Sequence, residues 1–199
     1  MENGYAILGM AVILAKAGLF KIEVREMEDI IASMEIWGRE LKPESPTRIN
    51  PAKKLALAAC GRIPVLVGAE HTSGNVRALR NQINECAKNF AAYLSLPDLN
   101  HHAMEGLSFP AANKGNLTFL FFDSALYHPR VRKRSELTKE VVKKNGIPVA
   151  SHALKAPTRL AQAFELLQLG VWISYYLGIA NKVDPVKIPW VDWFKNKLK

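Results

Sequence analysis

Apolar positions along the chain fall into two kinds of run. Helical spacing marks residues 4–18 and 26–38; in the second, Met27, Ile30, Ile31, Met34 and Trp37 recur at i, i+3/i+4 and i+7. The polar stretch Lys42-Pro43-Glu44-Ser45-Pro46-Thr47 reads as a linker. Residues 51–60 predict a short helix, with Asn50 as its cap and Pro51 in its first turn. Ile63-Pro64-Val65-Leu66-Val67-Gly68 is short and continuously apolar, the pattern of a buried strand. Further strands are predicted at 93–96, 117–122 and 147–151, each followed by a helical stretch, and long helices over 158–178 and 186–197. Strands alternating with helices at these spacings predict an α/β fold, a three-layer αβα sandwich around a mostly parallel sheet. Such sheets take their ligands beyond the carboxyl ends of the strands.

Composition narrows the class. The chain has 199 residues, 49% apolar and 23% charged, which excludes disordered, collagen-like and coiled-coil classes. Two cysteines, Cys60 and Cys86, exclude a disulfide framework and a four-cysteine zinc site. The apolar run from Gly4 to Ala15 is bounded by Lys16 and Lys21. It is shorter than the roughly 20 residues a membrane span needs, and Met1-Glu2-Asn3 is no basic leader. It reads as a buried core helix in a cytoplasmic protein. The formal charge is +9, and seven basic against two acidic residues lie between His128 and Lys144. No aromatics interleave with that run as they do in single-strand binders, so it reads as a solvated helix face. Neither nucleic acid nor a membrane is expected as a partner.

Candidate chemistry concentrates in two segments. On a helix over 74–90, Val76, Leu79, Ile83, Cys86 and Phe90 form one apolar stripe, and Asn81, Asn84, Glu85 and Lys88 lie opposite it. By pattern alone this second group is a solvated face with an i,i+3 ion pair between Glu85 and Lys88. The second segment, Pro97-Asp98-Leu99-Asn100-His101-His102-Ala103-Met104-Glu105-Gly106, follows a predicted strand. Asn100 is the expected N-cap of a short helix ended by Gly106, and adjacent histidines diverge, so no metal is expected between them. Gly68-Ala69-Glu70-His71-Thr72-Ser73-Gly74 is a candidate anion cradle that matches no standard phosphate motif.

Taken in order, these segments resemble a known family. Asn84-Glu85-Cys86-Ala87-Lys88, Pro97-Asp98-Leu99-Asn100-His101 and Glu105-Gly106 are similar to the C-terminal sugar isomerase (SIS) lobe of the bifunctional phosphoglucose/phosphomannose isomerases. Val183-Asp184-Pro185 and the closing Trp193-Phe194-Lys195-Asn196-Lys197-Leu198 resemble that family's last helix. Ile63–Glu70 resembles its strand leading into a G-x-E turn, and Gly4-Tyr5…Leu8-Gly9 resembles the helix that ends its first lobe. Cys86 departs from the family's usual Asn, and His102-Ala103-Met104 replaces Asn-Glu after the histidine.

The resemblance implies an SIS-type, flavodoxin-like fold. Residues 1–50 would be a helical segment and linker from a first lobe, and 51–199 the C-terminal SIS domain. It implies a catalyst that interconverts fructose 6-phosphate with glucose 6-phosphate and mannose 6-phosphate through a cis-enediol, with no metal or cofactor. Glu85 would carry the proton between C1 and C2, His101 would open the sugar ring, and Lys195 would stabilise negative charge on the substrate oxygens. Asn84, Lys88 and Asn100 would bind substrate. A homodimer is implied, with its site completed across the interface. The family's Ser/Thr-rich phosphate loop, and an arginine that precedes the opening helix, belong to an N-terminal SIS lobe. That lobe is expected in cis or as a separate chain, without which this chain would turn sugar phosphates over poorly. A non-catalytic phosphosugar-binding SIS module is the alternative.

Overall fold

The computed structural model describes residues 2–21 and 23–199. Its elements are α1 (Glu2–Lys16), α2 (Val24–Leu41), α3 (Pro51–Ala59), β1 (Ile63–Ala69), α4 (Ser73–Cys86), β2 (Ala92–Leu96), α5 (Asn113–Asn116), β3 (Leu117–Ser124), α6 (Pro129–Lys144), β4 (Val149–Leu154), α7 (Arg159–Ala180) and α8 (Pro189–Lys197). Two compact units divide inside α2, Met1–Trp37 and Gly38–Lys199. In the first, the expected buried core helix is corrected. Met10, Val12 and Ile13 of α1 are exposed, so its apolar run is not an enclosed core element.

The second unit is an α/β sandwich. Its four strands are all parallel, in the order β2-β1-β3-β4. β1 and β3 are buried on both faces, as their unbroken apolar runs demand. Side chains alternate across the sheet. Val65, Val67, Phe119 and Phe121 join Leu96, Leu99, Leu107, Tyr127, Val142 and Ile147 in a core on the α6 side. Leu66, Leu120 and Phe122 face the opposite way, toward the layer of α3, α4 and α7. The chain moves from β1 outward to β2 and from β3 outward to β4, so right-handed crossovers put α4 and α6 on opposite faces.

Local chemistry sets the boundaries. Asn50 caps α3 through a 3.1 Å bond from Lys53 N–H, and its amide donates to Leu41 O, where the Tyr176 hydroxyl also donates at 2.5 Å. β4 runs later than its apolar stretch: Pro148 has no N–H to give a ladder, and the strand continues through Ser151 and His152 because it is an edge. No long helix follows β2; that connection is made of 3-10 turns at Asp98–Asn100 and Glu105–Ser108, then α5. α7 is long and apolar enough to cross a membrane by length and composition, yet half of that stretch is buried inside the fold, against α3 and α4. At Gly68 the backbone meets α4 so closely that a Cβ would lie 2.8 Å from Thr72 Oγ1 and 2.9 Å from a Val76 methyl.

The carboxyl ends of β1 and β3 are tied by one hydroxyl. Tyr127 donates to Phe122 O at 2.9 Å, accepts from Ala69 N–H at 3.3 Å, and makes a short bond with the Thr72 hydroxyl. Burial pushes this phenol above its ordinary value. The neutral form is therefore the one the fold favours. The stability it confers is complete below about pH 10 and declines as the phenol ionises above that. Tyr127→Phe leaves Ala69 and Thr72 without that partner and is expected to cost about 1–3 kcal/mol in urea unfolding at pH 7. Above pH 10 the gap between the two proteins should narrow.

Candidate active site

α4 carries Val76, Leu79 and Ile83 against the sheet and α7, which turns Asn81, Asn84 and Glu85 outward. The helix is shorter than its apolar period suggests. It stops at Cys86, and Lys88 takes a left-handed backbone with φ 52°, which turns the chain back toward β2. Phe90 is in phase with the stripe but off the helix, and it is exposed. The expected Glu85–Lys88 ion pair is replaced by another arrangement. The Lys88 ammonium makes a short bond to the Glu85 backbone carbonyl and a 3.4 Å bond to Pro185 O.

That second bond reaches the approach to α8. Asp184 accepts from Val186 N–H at 2.9 Å, and this bond, with Lys187 at 3.7 Å, holds its carboxyl below the usual carboxylate range. The turn delivers α8 beside the end of α4. Between them lies a cavity of about 910 Å³, lined among others by Arg80, Asn84, Glu85, Lys88, Tyr93 and Lys195. Glu85, Lys88 and Lys195 are thus brought together, and Asn84 lines the same space. The amide of Asn84, however, donates to Arg80 O at 2.8 Å and Ala91 O at 3.1 Å, and its oxygen accepts from Ala91 N–H. Both amide hydrogens are engaged by backbone.

His101 and Asn100 lie elsewhere, beyond the other end of β2. The strand has five residues and spans about 16 Å, so Glu85 and His101 of one chain stand at opposite ends of it. His101 is exposed and packs edge-on against His102, ring centroids 4.5 Å apart. Asn100 is not the cap of a helix: it closes a 3-10 turn, and its side chain donates to Thr138 Oγ1 at 2.7 Å and accepts from Arg134 at 3.3 Å. Gly106 lies inside a second 3-10 turn rather than ending a helix.

The segment after β1 is not an open anion cradle. Ala69 N–H is taken by Thr72 and Tyr127, and Glu70, at φ 45°, accepts from His128 N–H at 2.8 Å. Sequence reasoning missed Arg80, Phe90, Tyr93 and Trp190 as lining residues of the Glu85 cavity. Arg80 carried a signal, since it precedes Asn84 by one helical turn on the same face. No cluster of three or more His, Cys, Asp or Glu suits a metal ion among the described residues.

Comparison with known proteins identifies the family and the fold. Residues 48–198 match the family described as the bacterial phospho-glucose isomerase C-terminal SIS domain. The chain is 27% identical over 196 residues to a bifunctional phosphoglucose/phosphomannose isomerase of Caldicellulosiruptor bescii, covering 98% of this chain and 58% of that protein. It is 29% identical over 181 residues to the Aquifex aeolicus protein of the same name, covering 91% and 54%. The chain therefore spans a little over half the length of these curated relatives. Among solved structures, a glucose-6-phosphate isomerase like protein from Thermus thermophilus superposes with a TM-score of 0.67 at 23% identity, covering 82% of this chain and 56% of that one. That likeness carries the fold.

Asn84 is expected to act through the backbone. Asn84→Ala should lower stability by about 1–3 kcal/mol in urea titration, and Asn84→Asp should cost more, because a carboxylate would then face two carbonyls.

Proposed function

The chain belongs to the bacterial phospho-glucose isomerase C-terminal SIS domain family, and from that footing we propose that it is the C-terminal lobe of an aldose–ketose isomerase. Its substrates are fructose 6-phosphate, glucose 6-phosphate and mannose 6-phosphate. The observation that carries the reading is the meeting of Glu85 and Lys195 in one cavity, although α4 and α8 are far apart in sequence. Neither the Glu85 carboxylate nor the Lys195 ammonium has an internal hydrogen bond or ion pair among the described residues, so both are free to engage a ligand.

The chemistry is a proton transfer within one molecule. The Glu85 carboxylate takes the proton from C2 of the open-chain aldose, or from C1 of the ketose. The C–H electron pair becomes the C1–C2 double bond, and the carbonyl oxygen gains the negative charge. Lys195 lowers the energy of that oxyanion. In the aldose-to-ketose direction the hydroxyl proton on O2 passes to O1, C2=O forms as the same carboxylate delivers its proton to C1, and the reverse direction retraces these transfers, so the enzyme ends as it began and no cofactor takes part.

His101 is proposed to open the sugar ring, and its distance from Glu85 supports a homodimer in which a second copy supplies it. The phosphate loop comes from an N-terminal SIS lobe, in cis or as a separate chain. α8 fits a partnered surface, since none of its residues is buried and Trp190, Trp193 and Phe194 are exposed. A cytoplasmic location agrees with two unpaired cysteines. The separation of Glu85 and His101 also favours one alternative, a non-catalytic phosphosugar-binding module.

A coupled assay on fructose 6-phosphate, with and without a co-expressed N-terminal SIS lobe, separates these readings. Activity should require the added lobe, and Glu85→Gln should lower kcat by at least about a hundredfold. Undiminished activity of Glu85→Gln would remove the assigned base. Binding that raises Tm, with no turnover even after complementation, would establish the module instead.

A further inference from the structure

The two walls of the Glu85 cavity are held unequally. The α4 wall is anchored. Beyond Cys86, the turn at 87–89 is gripped from α7: the Asn181 amide donates to Ala87 O at 3.0 Å and to Asn89 Oδ1 at 3.2 Å. The Asn89 amide donates in turn to Arg62 O at 3.0 Å. Gly178 of α7 lies so close that a Cβ there would stand 3.3 Å from Cys86 O. The α8 wall has no comparable support, since none of its residues is buried. Past Val183, whose N–H donates to Gly178 O at 3.1 Å, one hydrogen bond among the described residues joins this segment to the rest of the protein. It runs from Lys88 Nζ to Pro185 O at 3.4 Å.

Lys88 therefore bridges the walls. Its ammonium donates to Glu85 O at the end of α4 and to Pro185 O at the approach to α8. Val186 N–H, then Lys187 and Lys88, hold the neighbouring Asp184 carboxyl below the usual carboxylate range, so a negative charge stands beside that bond. The other cations of the cavity make no such bridge. Arg80 lies over the Tyr93 ring, 5.2 Å from its centroid, and Lys195 belongs to α8 itself. A charge-assisted bond from an anchored turn to an otherwise unsupported segment sets where that segment lies. Misplacing a group that acts on a reacting atom by about 1 Å can cost about a hundredfold in rate. We propose that Lys88 is a positioning residue that fastens the approach to α8 onto the end of α4 and thereby sets Lys195 opposite Glu85. The inference rests on the isomerase reading for the role of Lys195, but the fastening is tested without turnover. It moves Lys88 out of the substrate-binding role that the family resemblance implied.

The left-handed backbone at Lys88, φ 52°, decides the variant: glycine adopts it freely, so Lys88→Gly removes the ammonium without straining the turn. Hydrogen exchange read by mass spectrometry at short labelling times compares Lys88→Gly with wild type on the whole 199-residue chain, with α3 and β1 peptides as folding controls. Exchange over 189–197 should rise by about threefold or more while the controls do not move. A smaller rise overturns the proposal, as does a rise that the controls share. In the enzyme complemented with an N-terminal lobe, Lys88→Gly should lower kcat by about tenfold or more and leave KM within about twofold. In a Lys195→Gln background it should cost less than about twofold further, because a charge already absent cannot be misplaced. Losses that multiply, or a loss carried by KM, would make Lys88 a substrate ligand and overturn the positioning role. A loosened α8 together with a fully active Glu85→Gln enzyme would sink the isomerase assignment and leave the fastening standing. An α8 unmoved by Lys88→Gly, with an inactive Glu85→Gln enzyme, would do the reverse. Complementation without turnover leaves the exchange measurement to decide.

Discussion

Everything in the second unit follows from the burial of β1 and β3 on both faces. Two adjacent parallel strands that are apolar above and below need a helical layer on each side. Parallel pairing also forbids short hairpins, so each outward step of the chain must cross over the sheet through a helix. Because the two steps run in opposite directions from the central pair, α4 and α6 fall on opposite faces. α4 then has to travel from the carboxyl end of β1 to the amino end of β2. Glu85, near its end, is therefore delivered to the opposite edge of the sheet from the loops where α/β ligands usually bind. The Glu85 cavity owes its location to that one-way journey.

How far such an arrangement can be read beforehand depends on which interactions are local. The apolar runs of β1 and β3, the Asn50 cap and Pro51 of α3, and the stripe of Val76, Leu79 and Ile83 are decided by neighbours within a few residues, and each was legible in the sequence. The end of α4 was not. Phe90 continues the helical period by coincidence, while the left-handed turn at Lys88 exists because β2 must pair with β1. Likewise β4 is longer in the polar direction than its apolar core implies, because an edge strand needs to bury only part of its surface. Asn100 satisfies every local rule for a cap, yet its amide is drawn to Thr138 and Arg134 on α6.

The candidate site divides along the same line. Motif order picked out Glu85, His101 and Lys195, but order carries no distances. Only the fold reveals that α8 returns to the end of α4 while His101 sits a full strand away. Arg80 and Tyr93 belong to no motif, and their pairing depends on the first residues of β2 lying beside the last turns of α4. Asn84 shows the converse, a residue prominent by motif whose amide is occupied in joining those two elements.

The tight approach at Gly68 bears on how this sequence can change over time. A side chain there would collide with the Thr72 hydroxyl and a Val76 methyl together, one of them bonded to Tyr127. Drift at position 68 is thus gated by prior losses of bulk on α4 and its entry turn, and the loss in the entry turn, at Thr72, would loosen the hydroxyl knot. The order of substitutions matters more than their number. Among diverging descendants, positions 68, 72, 76 and 127 should behave as one inherited unit, while the exposed helices around them accumulate change freely.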